Sequence, residues 1–406
     1  MKKKFNKDYF LDDIKVSTIY SGIKKTKKNE DDLLLIEFDK NSAIAGVFTQ
    51  SLTASASVNQ CKKNLASSKE PLVRAILVNS GNANAFTGKF GEETVQKIST
   101  FLSLKLNCNV NQIYTASTGV IGEHLDPGLI IKNLKLMSHS NTPNWLQAAN
   151  AIKTTDTFPK VATRMCKIDG VDIKIIGIAK GSGMIAPSMS TMLGFIFTNA
   201  NLSSEILQKL IISSNDKSFN SITVDSDTST SDTVLLAATK TAKHRSVNEF
   251  TDRRLNEFKR SLSDLMLELA KLIVQDGEGA SKFVTIEVVG AISKKSAKII
   301  AFSVANSPLV KTAISGEDAN WGRIIMAIGK SGQKANRDKI QIYIGDELVT
   351  KNGMVSKDYS ELRATEHLKQ ADIFLKIDVG VGKSNATVYT CDLTHKYIEI
   401  NADYRS

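Results

Sequence analysis

The sequence has little with which to bind a metal or to cross a membrane. Its four cysteines, Cys61, Cys108, Cys166 and Cys391, lie far apart and form no C-x-x-C pair, and its five histidines show no ligand spacing. Zinc and Cys-His catalysis are therefore disfavoured, and free thiols of a reducing compartment are expected. No apolar run reaches the roughly 18 residues that a membrane helix needs. The start, MKKKFNKDYFLDD, is basic like a signal peptide, but Asn6, Lys7, Asp8, Asp12 and Asp13 interrupt any apolar core, so a cytoplasmic location is expected. The net charge of +11 would permit a nucleic-acid partner. Yet the lysines are scattered among Asn and Ser without interleaved aromatics, which predicts solvated faces and no nucleic-acid partner, while an anionic small substrate suits the positive field.

What is present is a chain of 406 residues, 42% hydrophobic, long enough for a large α/β unit or for two domains. It is organised around Lys180 to Asn199, KGSGMIAPSMSTMLGFIFTN. A strand-like run, VDIKIIGIAK, enters a Gly-Ser-Gly turn, and a second apolar run, TMLGFIFTN, leaves, with Ser188, Ser190 and Thr191 between them. Three readings compete. Gly181, Gly183 and Ala186 fit a dinucleotide fingerprint, but Pro187, the β-type run that follows and the lack of Asp or Glu up to Ser203 argue against it. A turn between two core strands is the bland alternative. The third makes Thr191 a nucleophile freed at a new N-terminus by self-cleavage after Ser190, with its α-amine as general base.

Other stretches read as follows. AILVNSGNANAFTG is a strand ending in an Asn- and Gly-rich loop, open between a tight turn and a site-lining loop. Residues 92 to 104 have helical spacing, with Val95, Ile98, Leu102 and Leu104 on one side. TASTGVIGEHLDP follows a short strand with a Thr-Gly pair able to offer two donors. Residues 145 to 152 read as helical, and KTTDTFPK after them is a loop whose hydroxyls and Asp156 are ordinary turn residues. Helices are predicted over 203–212 and 253–275, the second with Leu255, Phe258, Leu262, Leu265, Leu269 and Leu272 on one side. Asp225, Asp227 and Asp232 lack EF-hand spacing and are read as structural. FVTIEVVG, KIIAFSV, KIQIYIG and DIFLKIDVG read as strands, and the opening after Met1 reads as a lid or edge segment packed on the domain.

The cleavage stretch resembles that of the ornithine acetyltransferases, the glutamate N-acetyltransferases of arginine biosynthesis, whose usual form is KG-(A/S)-GMI-x-P-x-(M/L)-ATML. Ser190 stands here where Ala is usual. NSGNANA, STGVIG, TTDT, FNSITVDSDTSTSDT, DGEGASKF, GEDANWGRI and INADYRS follow the family in order, with Phe86 replacing a usual Cys, Ser226 a Gly and Ala319 a Pro.

The resemblance implies a layered αββα sandwich similar in outline to N-terminal nucleophile hydrolases. It implies cleavage into chains 1–190 and 191–406, associated as a heterotetramer of two α and two β chains, with no cofactor. It makes Thr191 the nucleophile and Thr118 with Gly119 the oxyanion hole. Thr154, Lys180, Glu278, Asn401 and Ser406 become substrate contacts, and Trp321 and Arg323 braces of the fold. The implied reaction is ping-pong acetyl transfer from N-acetylornithine to glutamate, with acetyl-CoA open as a second donor. An N-terminal-threonine amidohydrolase or aminopeptidase, and a binding protein that never cleaves, are the alternatives.

Overall fold

The computed structural model describes residues 11, 13–24, 29–137, 143–186 and 192–402. Two compact units share the chain: Met1–Gly181, Ser188–Asn220 and Thr228–Ile273 form the first, and Ser182–Pro187, Ser221–Asp227 and Val274–Ser406 the second. This division differs in kind from the 190/191 boundary that the expected self-cleavage would make.

The first unit contains strands β1 (Lys15–Ile19), β2 (Leu33–Glu37), β3 (Ala43–Phe48), β4 (Ala75–Asn82), β5 (Ile113–Val120), β6 (Lys160–Ile168), β7 (Val171–Lys180), β8 (Leu193–Thr198) and β9 (Thr233–Ala238). Its helices are α1 (Ala56–Ala66), α2 (Gly88–Leu106), α3 (Pro127–Leu136), α4 (Trp145–Ala151), α5 (Ser204–Asp216) and most of α6 (Asn256–Gln275). One sheet runs β1-β2-β4-β5 and the other β3-β9-β8-β7-β6. Alternation along the strands explains the layering. Leu34, Ile36, Ile76 and Val78 of the first sheet share a core with Ile44, Ile176, Ile178, Phe195 and Phe197 of the second. Leu33, Leu35 and Leu77 face the other way, onto Ile98 and Leu102 of α2 and Ile130 and Leu134 of α3. On the outer side of the second sheet, α5 meets β3 through Gln208, which bonds both backbone groups of Gly46. A Cβ on Gly177 would sit 2.8 Å from Leu265 and Leu269, so glycine there lets α6 lie close to β7. The order α, β, β, α is the predicted sandwich.

The second unit carries β10 (Phe283–Ala291), β11 (Gln341–Ile344), β12 (Glu347–Lys351), β13 (Met354–Val355), β14 (Asp372–Asp378) and β15 (Ser384–Cys391). They form one sheet in the order β13-β12-β11-β14-β10-β15. Helices α7 (Lys294–Ala305), α8 (Pro308–Ser315), α9 (Trp321–Gly329), α10 (Glu361–Leu368) and α11 (His395–Ala402) complete it. Trp321 packs against this core, and the Arg323 guanidinium donates to the Leu309 carbonyl at 2.8 Å, tying α9 to α8.

Two expectations are corrected. KIIAFSV is helix α7, not a strand: Ser293 caps it, and Ala297, Ile300, Ala301, Val304 and Ala305 are buried at a helical period that a short window hides among apolar residues. Leu104 lies on the solvent side of α2, 78% exposed, while Val95, Ile98 and Leu102 are buried. The edge expected near the start is β1, which among the described residues pairs only with β2; residues 1–10 lie outside the described set.

Candidate functional site

In the first unit the candidate residues lie near the C-terminal ends of β5 and β7 and in the loop between α4 and β6. Lys180 closes β7 with only 2% of its surface exposed, a position a lysine holds only when its ammonium is satisfied. Its Nζ donates to Thr154 Oγ1 at 2.8 Å and to Thr118 Oγ1 at 3.3 Å. An ammonium donates and never accepts, so Thr118 keeps its own O–H to give away. Lys180, Thr118 and Thr154, singled out separately in the sequence, are thus brought together from β7, β5 and the loop between α4 and β6.

The neighbouring glycine is fixed by backbone crowding. β4 and β5 run parallel with Gly81 opposite Gly119, and the register breaks at Gly81/Asn82. Gly119 has φ of +131°, and a Cβ there would lie 2.3 Å from the Gly81 carbonyl carbon. Only glycine allows this approach. The asparagines of the preceding loop are spent within it. Asn79 donates to the Asn82 carbonyl at 2.8 Å and accepts from Ser117, Asn82 donates to Glu123, and Asn84 to Gly91. Those bonds are the tight-turn reading of NSGNANA. Phe86, where the family carries Cys, is 83% exposed with φ of +56°.

Asp156, read from sequence as an ordinary loop residue, is instead a buried hub. Its Oδ1 accepts from Lys160 at 2.6 Å and from the Gly181 N–H at 2.7 Å, while Oδ2 accepts from the Thr154 N–H at 3.2 Å. Burial alone would raise its pKa, but the charges of Lys160 and Lys180 and the Gly181 N–H outweigh it and hold the carboxyl far below the usual carboxylate range. The signal available in the sequence was Lys160 four residues on, across Pro159. The bonds to Thr154 and Gly181 make Asp156 the residue that sets both flanks of Lys180.

The second unit builds its own polar pocket around Glu278, which is 8% exposed between Gly277 and Gly279. Its backbone N–H donates to the Ser182 carbonyl at 3.0 Å, and its Oε2 accepts from Asn401 Nδ2 at 2.8 Å. A Cβ on Gly183 would meet the Glu278 carboxylate at 2.3 Å, so that glycine leaves the carboxylate its room. Asp225 gathers the same turn. It accepts from the N–H groups of Met184 at 2.6 Å and Ile185 at 2.8 Å and from the Tyr397 hydroxyl at 3.2 Å. Burial pushes its pKa up despite these donors. Asn401 and Tyr397 both belong to α11, so that helix is anchored on this pocket.

Ser190, Thr191 and Ser406 lie outside the described residues. From Leu193 the chain runs as β8, where a dinucleotide fingerprint needs a helix. Among the described residues no cluster of His, Cys, Asp and Glu could hold a metal ion, and no helix is long and apolar enough to cross a membrane.

A sequence profile described as the ArgJ family matches residues 15–406. The arginine biosynthesis bifunctional protein ArgJ of Mesorhizobium japonicum is 48% identical over 408 residues, spanning 100% of this chain and 98% of its own. The protein of that name from Brucella suis is 49% identical over 397 residues, spanning 97% and 95%. Among solved structures, an ArgJ protein of Bacillus halodurans superposes with a TM-score of 0.48 at 40% identity, covering 50% of this chain and 95% of that one. An ornithine acetyltransferase of Mycobacterium tuberculosis, complexed with ornithine, gives 0.36 at 27% identity, covering 43% and 92%. With a profile and relatives that match along its whole length, the chain belongs to the ArgJ family.

Proposed function

We propose that this chain is a self-cleaving acetyltransferase of arginine biosynthesis that moves the acetyl group of N2-acetyl-L-ornithine to L-glutamate. The observation that carries it is the buried Lys180 ammonium holding Thr118 and Thr154, in a chain whose full-length relatives are named arginine biosynthesis bifunctional proteins. That name also supports acetyl-CoA as a second donor for making N-acetylglutamate.

Maturation comes first. The Thr191 hydroxyl adds to the Ser190 carbonyl, the Ser190–Thr191 C–N bond breaks, and the resulting ester takes up water to leave a Ser190 carboxylate and a Thr191 with free hydroxyl and α-amine. The products, 1–190 and 191–406, stay together because β7 and β8 pair antiparallel within one sheet. They assemble as a heterotetramer of two α and two β chains and work in the cytoplasm.

In the reaction, the α-amine takes the Thr191 hydroxyl proton as Oγ attacks the acetyl carbonyl, and that proton goes to the departing ornithine amine. The Thr118 hydroxyl and Gly119 N–H receive the oxyanion, each such donor contributing on the order of 10² to 10³ in rate. The glutamate amine then attacks the acetyl-threonine ester and frees the hydroxyl. Thr154 and Lys180 bind substrate, the ammonium suiting a carboxylate; Glu278 takes a substrate amino group, with Asn401 and Ser406 as further contacts.

The test is to incubate the purified protein with N-acetylornithine, with and without glutamate, and to measure N-acetylglutamate and acetate. Glutamate-dependent N-acetylglutamate is expected. Acetate alone would favour the amidohydrolase alternative, and neither product would overturn the reading.

A further inference from the structure

Strands β8 and β9 start their parallel pairing at Leu193 and Thr233. Just before it, the Met192 N–H donates to Asp232 Oδ1 at 2.9 Å, and the Thr233 N–H donates to the Met192 carbonyl at 3.2 Å. Consecutive residues at the start of β9 thus hold both polar groups of the Met192 backbone. The Met192 nitrogen belongs to the planar peptide unit that joins it to Thr191, so an anchor on that nitrogen orients the bond by which the chain leaves Thr191.

Asp232 is an odd choice for a purely structural anchor. It is fully buried, and among the described residues its Oδ2 has no hydrogen-bond partner. A buried polar atom left unpaired costs stability. Burial holds this carboxyl well above the usual range, opposed by the Met192 N–H and the Lys180 charge. Its own backbone is fixed as well, since the Asp232 carbonyl accepts from the Thr49 N–H at 3.1 Å. Costly buried groups that persist are a mark of functional sites.

We propose that Asp232 is a positioning residue for Thr191: its Oδ1 bond to the Met192 N–H fixes the peptide unit leaving the nucleophile, so that both self-cleavage and acetyl transfer depend on it. This rests on Thr191 being the nucleophile. Nucleophile misplacement by about 1 Å costs on the order of a hundred-fold in rate, so the effect should fall on chemistry rather than on binding.

The test compares wild type, Asp232→Ala and Asp232→Asn by intact mass during a cell-free synthesis time course, then by kcat and KM for N-acetylornithine on cleaved protein. Asp232→Ala is expected to slow cleavage and lower kcat by roughly ten- to a hundred-fold, with KM within about two-fold of wild type. Asn keeps an acceptor in the Oδ1 position and resembles the neutral acid, so Asp232→Asn should recover most of that loss. An Ala variant that cleaves and turns over like wild type would overturn the proposal. So would a folded Asn variant as slow as Ala or, should the Ala variant not fold, one about a hundred-fold slower than wild type. A wild-type chain that never cleaves would instead overturn the acetyltransferase reading on which the proposal rests.

Discussion

The polar cluster of the first unit and that of the second solve opposite problems. Lys180 at the end of β7 and Asp156 in the loop before β6 are both buried, and each charge is met by a counter-charge or hydroxyl. Glu278 sits in a loop between two glycines, and its described side-chain partner, Asn401, stands on the exposed end of α11. The first arrangement is rigid because burial makes an unmet charge expensive. The second depends on one chain end and one glycine keeping a carboxylate in place. Damage to the first should register mainly as lost stability and rate, and damage to the second as lost substrate binding.

The largest effect that would break this contrast is at Asp156. Asp156→Ala leaves Lys160 buried without its carboxylate and should destabilise the protein by about 3–5 kcal/mol, read by chemical denaturation. Because the folded carboxyl is held below its unfolded value of about 3.9, its contribution is present above that pH and lost as the pH falls. The stability gap between wild type and Asp156→Asn should therefore close on acidification. Asp232 has the opposite sign. Its raised pKa gives a contribution present below about pH 3.9 and lost as the pH rises, so Asp232→Asn should gain on wild type toward neutral pH.

Next comes Gly119→Ala, whose Cβ meets the backbone of Gly81 on the paired strand. It should cost more than about 3 kcal/mol by adding overpacking to a disallowed φ, and no neighbouring side chain can move to relieve it. At Glu278 the prediction changes character. Glu278→Gln should raise KM for N-acetylornithine by roughly ten-fold while the denaturation midpoint stays close to wild type. Smallest is Gly183→Ala, which displaces the Glu278 carboxylate rather than backbone. It should move KM in the same direction by less, and a kcat loss at unchanged KM would contradict the assignment of that pocket to binding.

These residues were not equally legible. The flanking strands β7 and β8 could be read from apolar runs and Gly punctuation, and the amphipathic α6 from its leucines, because one pattern decides each. The helix α7 could not, since KIIAFSV is apolar enough to suit either period and only the burial of Ala297, Ile300, Ala301, Val304 and Ala305 separates them. Motif resemblance singled out Thr118, Thr154, Lys180 and Glu278 one at a time. It could not supply Asp156 or Asp232, whose meaning lies in long-range hydrogen bonds to Gly181 and Met192 that sequence spacing does not encode.

The most direct test of the central claim is an intact mass of the purified protein with N-terminal sequencing of its fragments, beside Thr191→Ala. The account predicts chains 1–190 and 191–406, the second beginning Thr191-Met192-Leu193, and a single inactive chain for the variant. An uncleaved wild type, or a Thr191→Ala protein that cleaves and transfers acetyl, would contradict it.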